Sequence, residues 1–267
     1  MTEAILAGLA GLVVGSFLNV CVYRMPRDIS VARPARSFCP SCERTIAWYD
    51  NIPVLSFLLL RGRCRHCHVA IRVRYPAVEF ASGALFFAVL LLWGPGMEAV
   101  KYCVFAALQV GLIAMDLEER ILADEFTLGG VFLGLGFAVL APLPFGILGM
   151  LTPREWHPIA VSVAESAFGA GLLSFVLWSV GALYQKVRRR VGLGFGDVKM
   201  VAMIGAFFGL SPALLTVVLG SVLGSVVGLL FILLSRKSAS TYELPFGSFL
   251  GVAALIVLFY GKYSGEV

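Results

Sequence analysis

The chain has 267 residues, 59% of them hydrophobic and 14% charged, and its mean hydropathy of +0.91 excludes an ordinary water-soluble domain. A net charge of +5 would suit nucleic acid, but 18 of the 21 Lys and Arg fall in segments 24–75, 117–124, 184–199 and 235–244, the alternation by loop that membrane topology imposes. The expected partner is therefore the lipid bilayer and not nucleic acid.

Eight apolar blocks approach the roughly 20 residues that cross a bilayer as helix. They run 3–23, 76–94, 98–116, 125–143, 159–183, 198–211, 213–234 and 246–261. The first opens on acidic Glu3 and reaches Val22 without a small-residue cleavage site, so it reads as a retained helix and not a secretory signal. The positive-inside rule makes the four basic segments cytoplasmic and both termini external, leaving Lys101, Arg154 and Lys262 on the opposite side. The expected fold is all-α: a polytopic bundle of about eight transmembrane helices with a small zinc-bound cytoplasmic domain. Residues 1–23 are the first transmembrane helix, 24–75 the cytoplasmic domain and 76–267 the remaining bundle. The sequence shows no convincing internal repeat and no low-complexity tail.

Within the cytoplasmic loop, Cys39-Pro-Ser-Cys42 and Cys64-Arg-His-Cys67 are two C-x-x-C pairs separated by 21 residues, close to zinc-ribbon spacing. In a reducing compartment four clustered thiols favour metal over disulfides. Four thiolates leave no open coordination position, so the zinc is expected to be structural, organising a loop too short for an apolar core. His66 and His68 flank the second pair and read as solvent-facing. Cys21 and Cys103 lie in spans and read as small core residues. Glu79, at the start of the second span, is expected to snorkel or to pair with Arg72 and Arg74.

Asp116 ends the third span and Asp197 opens the sixth, both on the side that carries the basic loops. Ionisable groups at membrane depth are costly and invite a functional explanation. Two neighbouring carboxylates share a proton, so one serves as base and the other as acid. Gly192, Gly194 and Gly196 remove bulk beside Asp197, where a peptide backbone would approach. Asp124 is expected to cap the fourth helix, and Gly220, Gly224 and Gly228 form a close-packing face. These residues alone fit a membrane aspartic peptidase, an ion-coupled transporter using the same pair, or a noncatalytic scaffold with a zinc-bound loop.

Gly15-Ser-Phe-Leu-Asn-Val-Cys-Val-Tyr-Arg-Met-Pro26, the two cysteine pairs, Trp48-Tyr-Asp-Asn-Ile-Pro53, Gly62-Arg-Cys64, Arg74-Tyr-Pro-Ala-Val-Glu79, Asp116 and Gly194-Phe-Gly-Asp197 occur in one order along the chain. Together they resemble the type IV prepilin peptidases, bifunctional leader peptidases and N-methyltransferases of the GxGD intramembrane aspartic peptidase class. The chain departs from the family at Ala123, where proline is common. The resemblance implies Asp116 and Asp197 as the catalytic pair and Cys39, Cys42, Cys64 and Cys67 as zinc ligands. It further implies prepilin or pseudopilin substrates with a short basic leader, cut after a glycine at the cytoplasmic face of the bacterial inner membrane. S-adenosylmethionine is then the implied methyl donor, with Gly62 as a methylation determinant. No dinucleotide-type glycine fingerprint marks where that donor sits.

Overall fold

The computed structural model describes residues 1–144, 146–152, 155–189, 192–235 and 244–264. Their helices are α1 (Thr2–Arg24), α2 (Leu55–Leu59), α3 (Arg74–Trp93), α4 (Met97–Glu119), α5 (Asp124–Leu140), α6 (Ile147–Leu151), α7 (Pro158–Arg188), α8 (Phe195–Phe208), α9 (Leu210–Ser235) and α10 (Phe246–Ser264). Among the described residues no β-strand forms, only isolated bridges at Phe38–Thr45 and Arg63–Ala70. The all-α, multi-pass expectation holds, and each apolar block is helical. Five helices, α1, α3, α4, α7 and α9, are long and apolar enough to cross a membrane. By contrast, α5 has 17 residues and α8 has 14.

The chain divides into two compact units, Met1–Met115 and Asp116–Val267. In the first, α1 packs along α3. Small residues let the backbones touch: a Cβ on Gly11 would fall 2.5 Å from the Ser82 carbonyl oxygen, and one on Gly15 would fall 2.6 Å from the Glu79 Cα. Asn19 Nδ2 donates to the Tyr75 carbonyl at 2.9 Å, tying the end of α1 to the start of α3. The loop between them therefore begins and ends at neighbouring points. Arg24 organises its first stretch. The buried guanidinium donates to the carbonyls of Ser30, Val31, Pro34 and Arg36 and lies 5.7 Å from the Phe38 ring centroid.

In the second unit α8 is central, packing against α5, α7, α9 and α10, with Met200, Met203, Ile204 and Phe207 fully buried. Gly205 meets Gly169 of α7 so closely that a Cβ on Gly205 would have no room beside the Gly169 carbonyl. The Ser166 hydroxyl donates to the Ala206 carbonyl at 2.6 Å. Gly220, Gly224 and Gly228 face Leu250, Phe249 and Leu244, so that glycine face does serve packing. Beyond α5, the Leu143 N–H donates to Ser162 Oγ at 2.9 Å and the Leu148 N–H to the buried Glu165 carboxylate at 2.8 Å.

Candidate functional site

The cysteine loop contains the same backbone turn twice, offset by 25 positions. In the first copy the Cys39 N–H donates to the Arg44 carbonyl, the Glu43 N–H to the Cys39 carbonyl and the Ile46 N–H to the Ser37 carbonyl. In the second, Cys64 donates to Val69, His68 to Cys64 and Ile71 to Gly62. Both copies place the residue after the second cysteine at positive φ, Glu43 at 57° and His68 at 57°. No sequence repeat accompanies it. The decapeptides 37–46 and 62–71 share only their two cysteines and a final isoleucine, so the repetition is one of backbone.

All four Sγ atoms lie within 4.8 Å of one another, and Cys39 Sγ stands 3.8 Å from Cys67 Sγ. Sulfurs around a tetrahedral zinc at about 2.3 Å stand about 3.8 Å apart, so the donor set suits such an ion. The backbone amides of Cys67 and His66 hold the Cys64 thiol down at about 7. The Val69 amide favours the Cys67 thiolate, yet burial and the neighbouring sulfurs push that thiol up to about 11. Neither histidine joins the metal group, and His66 Nδ1 lies 3.4 Å from an Arg44 guanidinium nitrogen.

Gly62 closes α2, donating to the Phe57 carbonyl at 2.8 Å. Its φ is +66°, and a Cβ there would lie 3.1 Å from the Phe57 ring, so a side chain is opposed by both backbone and packing. Asp50 accepts two hydrogen bonds from Arg65 at 2.5 and 2.6 Å, joining the 3-10 turn Trp48–Asp50 to the second cysteine turn. The Arg65 guanidinium holds the Asp50 carboxyl below the usual carboxylate range. Glu79 departs from expectation: its carboxylate accepts the Val54 N–H at 2.7 Å instead of pairing with Arg72 or Arg74. Val54 is the centre of a tight turn at φ 62° and ψ −48°, where the Leu55 N–H reaches the Pro53 carbonyl at 2.6 Å. Glu79 thus pins a strained, β-branched position.

In the second unit Asp116 is buried. Its Oδ2 accepts the Ser248 N–H at 2.6 Å and the Ser248 hydroxyl at 2.7 Å. Asp197 lies in the first turn of α8, close enough for its charge and that of Asp116 to repel. The two aspartates thus lie within electrostatic range of each other. Of the three nearby glycines, only Gly194 borders the carboxylate, since a Cβ there would lie 3.0 Å from Asp197 Oδ2. Gly192 makes room for Tyr184, and Gly196 for Leu122. Asp124 is the first residue of α5 and does not cap it. Its exposed carboxylate instead receives Lys199 Nζ at 2.6 Å, because that cation from α8 outcompetes the local backbone amides. Ser248 escaped the sequence reading; Gly247 is the nearest signal, as a Cβ there would come 3.2 Å from Asp116 Oδ2.

Residues 9–93 match the model of the bacterial peptidase A24 N-terminal domain, and residues 103–229 that of the type IV leader peptidase family. The chain is similar to prepilin leader peptidase/N-methyltransferases of several bacteria. It is 34% identical over 275 residues to that of Burkholderia pseudomallei strain 1026b, covering 94% of this chain and 83% of that protein. It is 34% identical over 281 residues to that of Pseudomonas putida, covering 96% and 90%. Identity to the Myxococcus xanthus protein is 41% over 204 residues, but the match spans only 56% of that longer relative. No solved structure matches. With both family models in register along the chain and relatives aligned over most of their length, the protein belongs to the type IV leader peptidase family.

Proposed function

We propose that this protein removes the basic leader from prepilins or pseudopilins, with Asp116 and Asp197 as the catalytic pair at the cytoplasmic edge of the inner membrane. The observation that carries the reading is the asymmetric pair in the second unit. Asp116 is buried with its charge met by two donors from Ser248, while Asp197 lies within its electrostatic reach and is bordered by Gly194, which carries no side chain to crowd it. Asp116 suits the base that takes a proton from water as its oxygen attacks the scissile carbonyl. Asp197 suits the acid that hydrogen-bonds the developing oxyanion and then protonates the departing amine. Asp124 is already neutralised by Lys199, which favours Asp116 as the partner of Asp197.

The relatives' names also support N-methylation of the new amino terminus. S-adenosylmethionine supplies the methyl group in that reaction. The Gly62 turn and the cysteine centre, holding one structural zinc, form the part of this chain assigned to it. The test is to incubate the purified protein with a prepilin and S-adenosylmethionine and weigh the products. The expected product is mature pilin lacking its leader and heavier by one methyl group. Uncut precursor with the wild-type chain, or normal cleavage by Asp116→Asn or Asp197→Asn, overturns the assignment.

A further inference from the structure

A helix that faces water turns its leucines inward and its serines outward. In α2 the order is reversed. Ser56 is 6% exposed, whereas Leu55, Leu58 and Leu59 are 48%, 65% and 72% exposed, and Trp48 beside them is 81% exposed. The polar face is satisfied internally: the Ser56 hydroxyl donates to the Tyr49 carbonyl at 2.9 Å and accepts the Ile52 N–H at 3.0 Å. The 3-10 turn that carries Trp48 packs on α2, and Leu55, Leu58 and Leu59 follow helical spacing on one side. A second feature adjoins this face. A cavity of about 540 Å³ is lined by Leu59, Arg61, Arg63, Arg65 and His68. Arg65 is engaged by Asp50, but Arg61 and Arg63 have no ion-pair partner among the described residues.

We propose that this segment is a lipid-binding platform: Trp48, Leu55, Leu58 and Leu59 enter the cytoplasmic leaflet, and Arg61 and Arg63 hold the phosphate of an anionic phospholipid. The inference rests on the topology stated under the proposed function. Three observations select a bilayer as the occupant. The loop leaves α1 and returns to α3 at neighbouring points, joined by the Asn19–Tyr75 hydrogen bond, so it remains tethered at the membrane surface. An exposed tryptophan with leucines beside uncompensated arginines is the composition of a membrane interface. Anionic lipid also complements the arginine charge. The platform would hold the cysteine centre at a fixed height above the membrane.

The test uses the full-length protein in nanodiscs of phosphatidylcholine alone or mixed with phosphatidylglycerol. Brominated lipids should quench the fluorescence component that Trp48→Phe removes, and Leu58→Gln with Leu59→Gln should abolish that quenching. Amide exchange over residues 52–60 should slow in the anionic discs, and each of Arg61→Gln and Arg63→Gln should relax this protection about fivefold. Metal content measured on each variant shows that the fold is retained. The proposal is overturned if acrylamide reaches Trp48 equally well in both discs and in detergent. It is equally overturned if inorganic phosphate reproduces the protection in phosphatidylcholine discs, or if protection appears only when prepilin is added, marking a protein-docking face. Cleavage assayed in the same discs separates the two readings: lipid protection without cleavage would sink the peptidase and leave the platform standing.

Discussion

Each cysteine turn closes within ten residues, 37–46 or 62–71, on backbone hydrogen bonds of its own, and the halves meet at the four sulfurs and at the Arg44–His66 contact. The aspartate site instead draws on α4, α8 and α10, and the Ser248–Asp116 hydrogen bonds link positions 132 apart. The first site can be assembled by local turns and a metal ion. The second exists only when helices far apart in sequence have packed. Damage to the cysteine region should therefore remain local, while the aspartate site should respond to side chains that never touch substrate.

The sharpest test of that contrast is Asp116→Asn or Asp197→Asn. Either change should reduce cleavage about a hundred- to ten-thousandfold, because an amide cannot alternate between accepting and donating a proton. The metal content of both variants should stay at one equivalent by elemental analysis, and Asp124→Asn should keep substantial activity. Next in size, Cys42→Ser should lower bound metal and open the loop to limited proteolysis, leaving the helical content by circular dichroism unchanged. Ser248→Ala, which removes one of two donors to Asp116, should reduce kcat about tenfold with little change in KM. Ser248→Thr should restore most of it, an outcome that simple helix loosening would not give.

Gly62→Ser should yield mature pilin of correct length with most of the methyl mass missing, read by mass spectrometry. Simultaneous loss of cleavage and metal would instead show that the two regions are not separable. The smallest effect belongs to Asp50. Its carboxyl is held below the usual range by Arg65, so its contribution is present at neutral pH and is lost only as pH falls through that depressed value. Asp50→Asn should then speed metal release modestly at neutral pH, in chelator competition, and have no further effect in acid.

What could be read from the sequence follows the same division. Cysteine spacing is a local property, so all four proposed ligands converge as expected. The repeat of their turns was hidden because only backbone conformation recurs, with Pro40 and Ser41 in one copy and Arg65 and His66 in the other. Asp116 and Asp197 stood out because carboxylates are rare in apolar helices. Ser248 did not, since a serine in an apolar run is ordinary and its partner lies on another helix. Asp124 was misread as a cap because helix-start rules see only neighbouring amides, whereas Lys199 arrives from 75 positions away.

The central position of α8 has a consequence for biogenesis. At 14 residues it is shorter than the roughly 20 needed for an independent transmembrane helix, and its first two turns carry Asp197 and Lys199. A nascent chain therefore has little reason to release it into lipid alone; the groove offered by α5 and α7, with Gly134 against Ala206 and Gly169 against Gly205, is its natural receptor. Ser248 follows still later, on α10. The order of synthesis would thus delay the Ser248–Asp116 hydrogen bonds until α10 has docked.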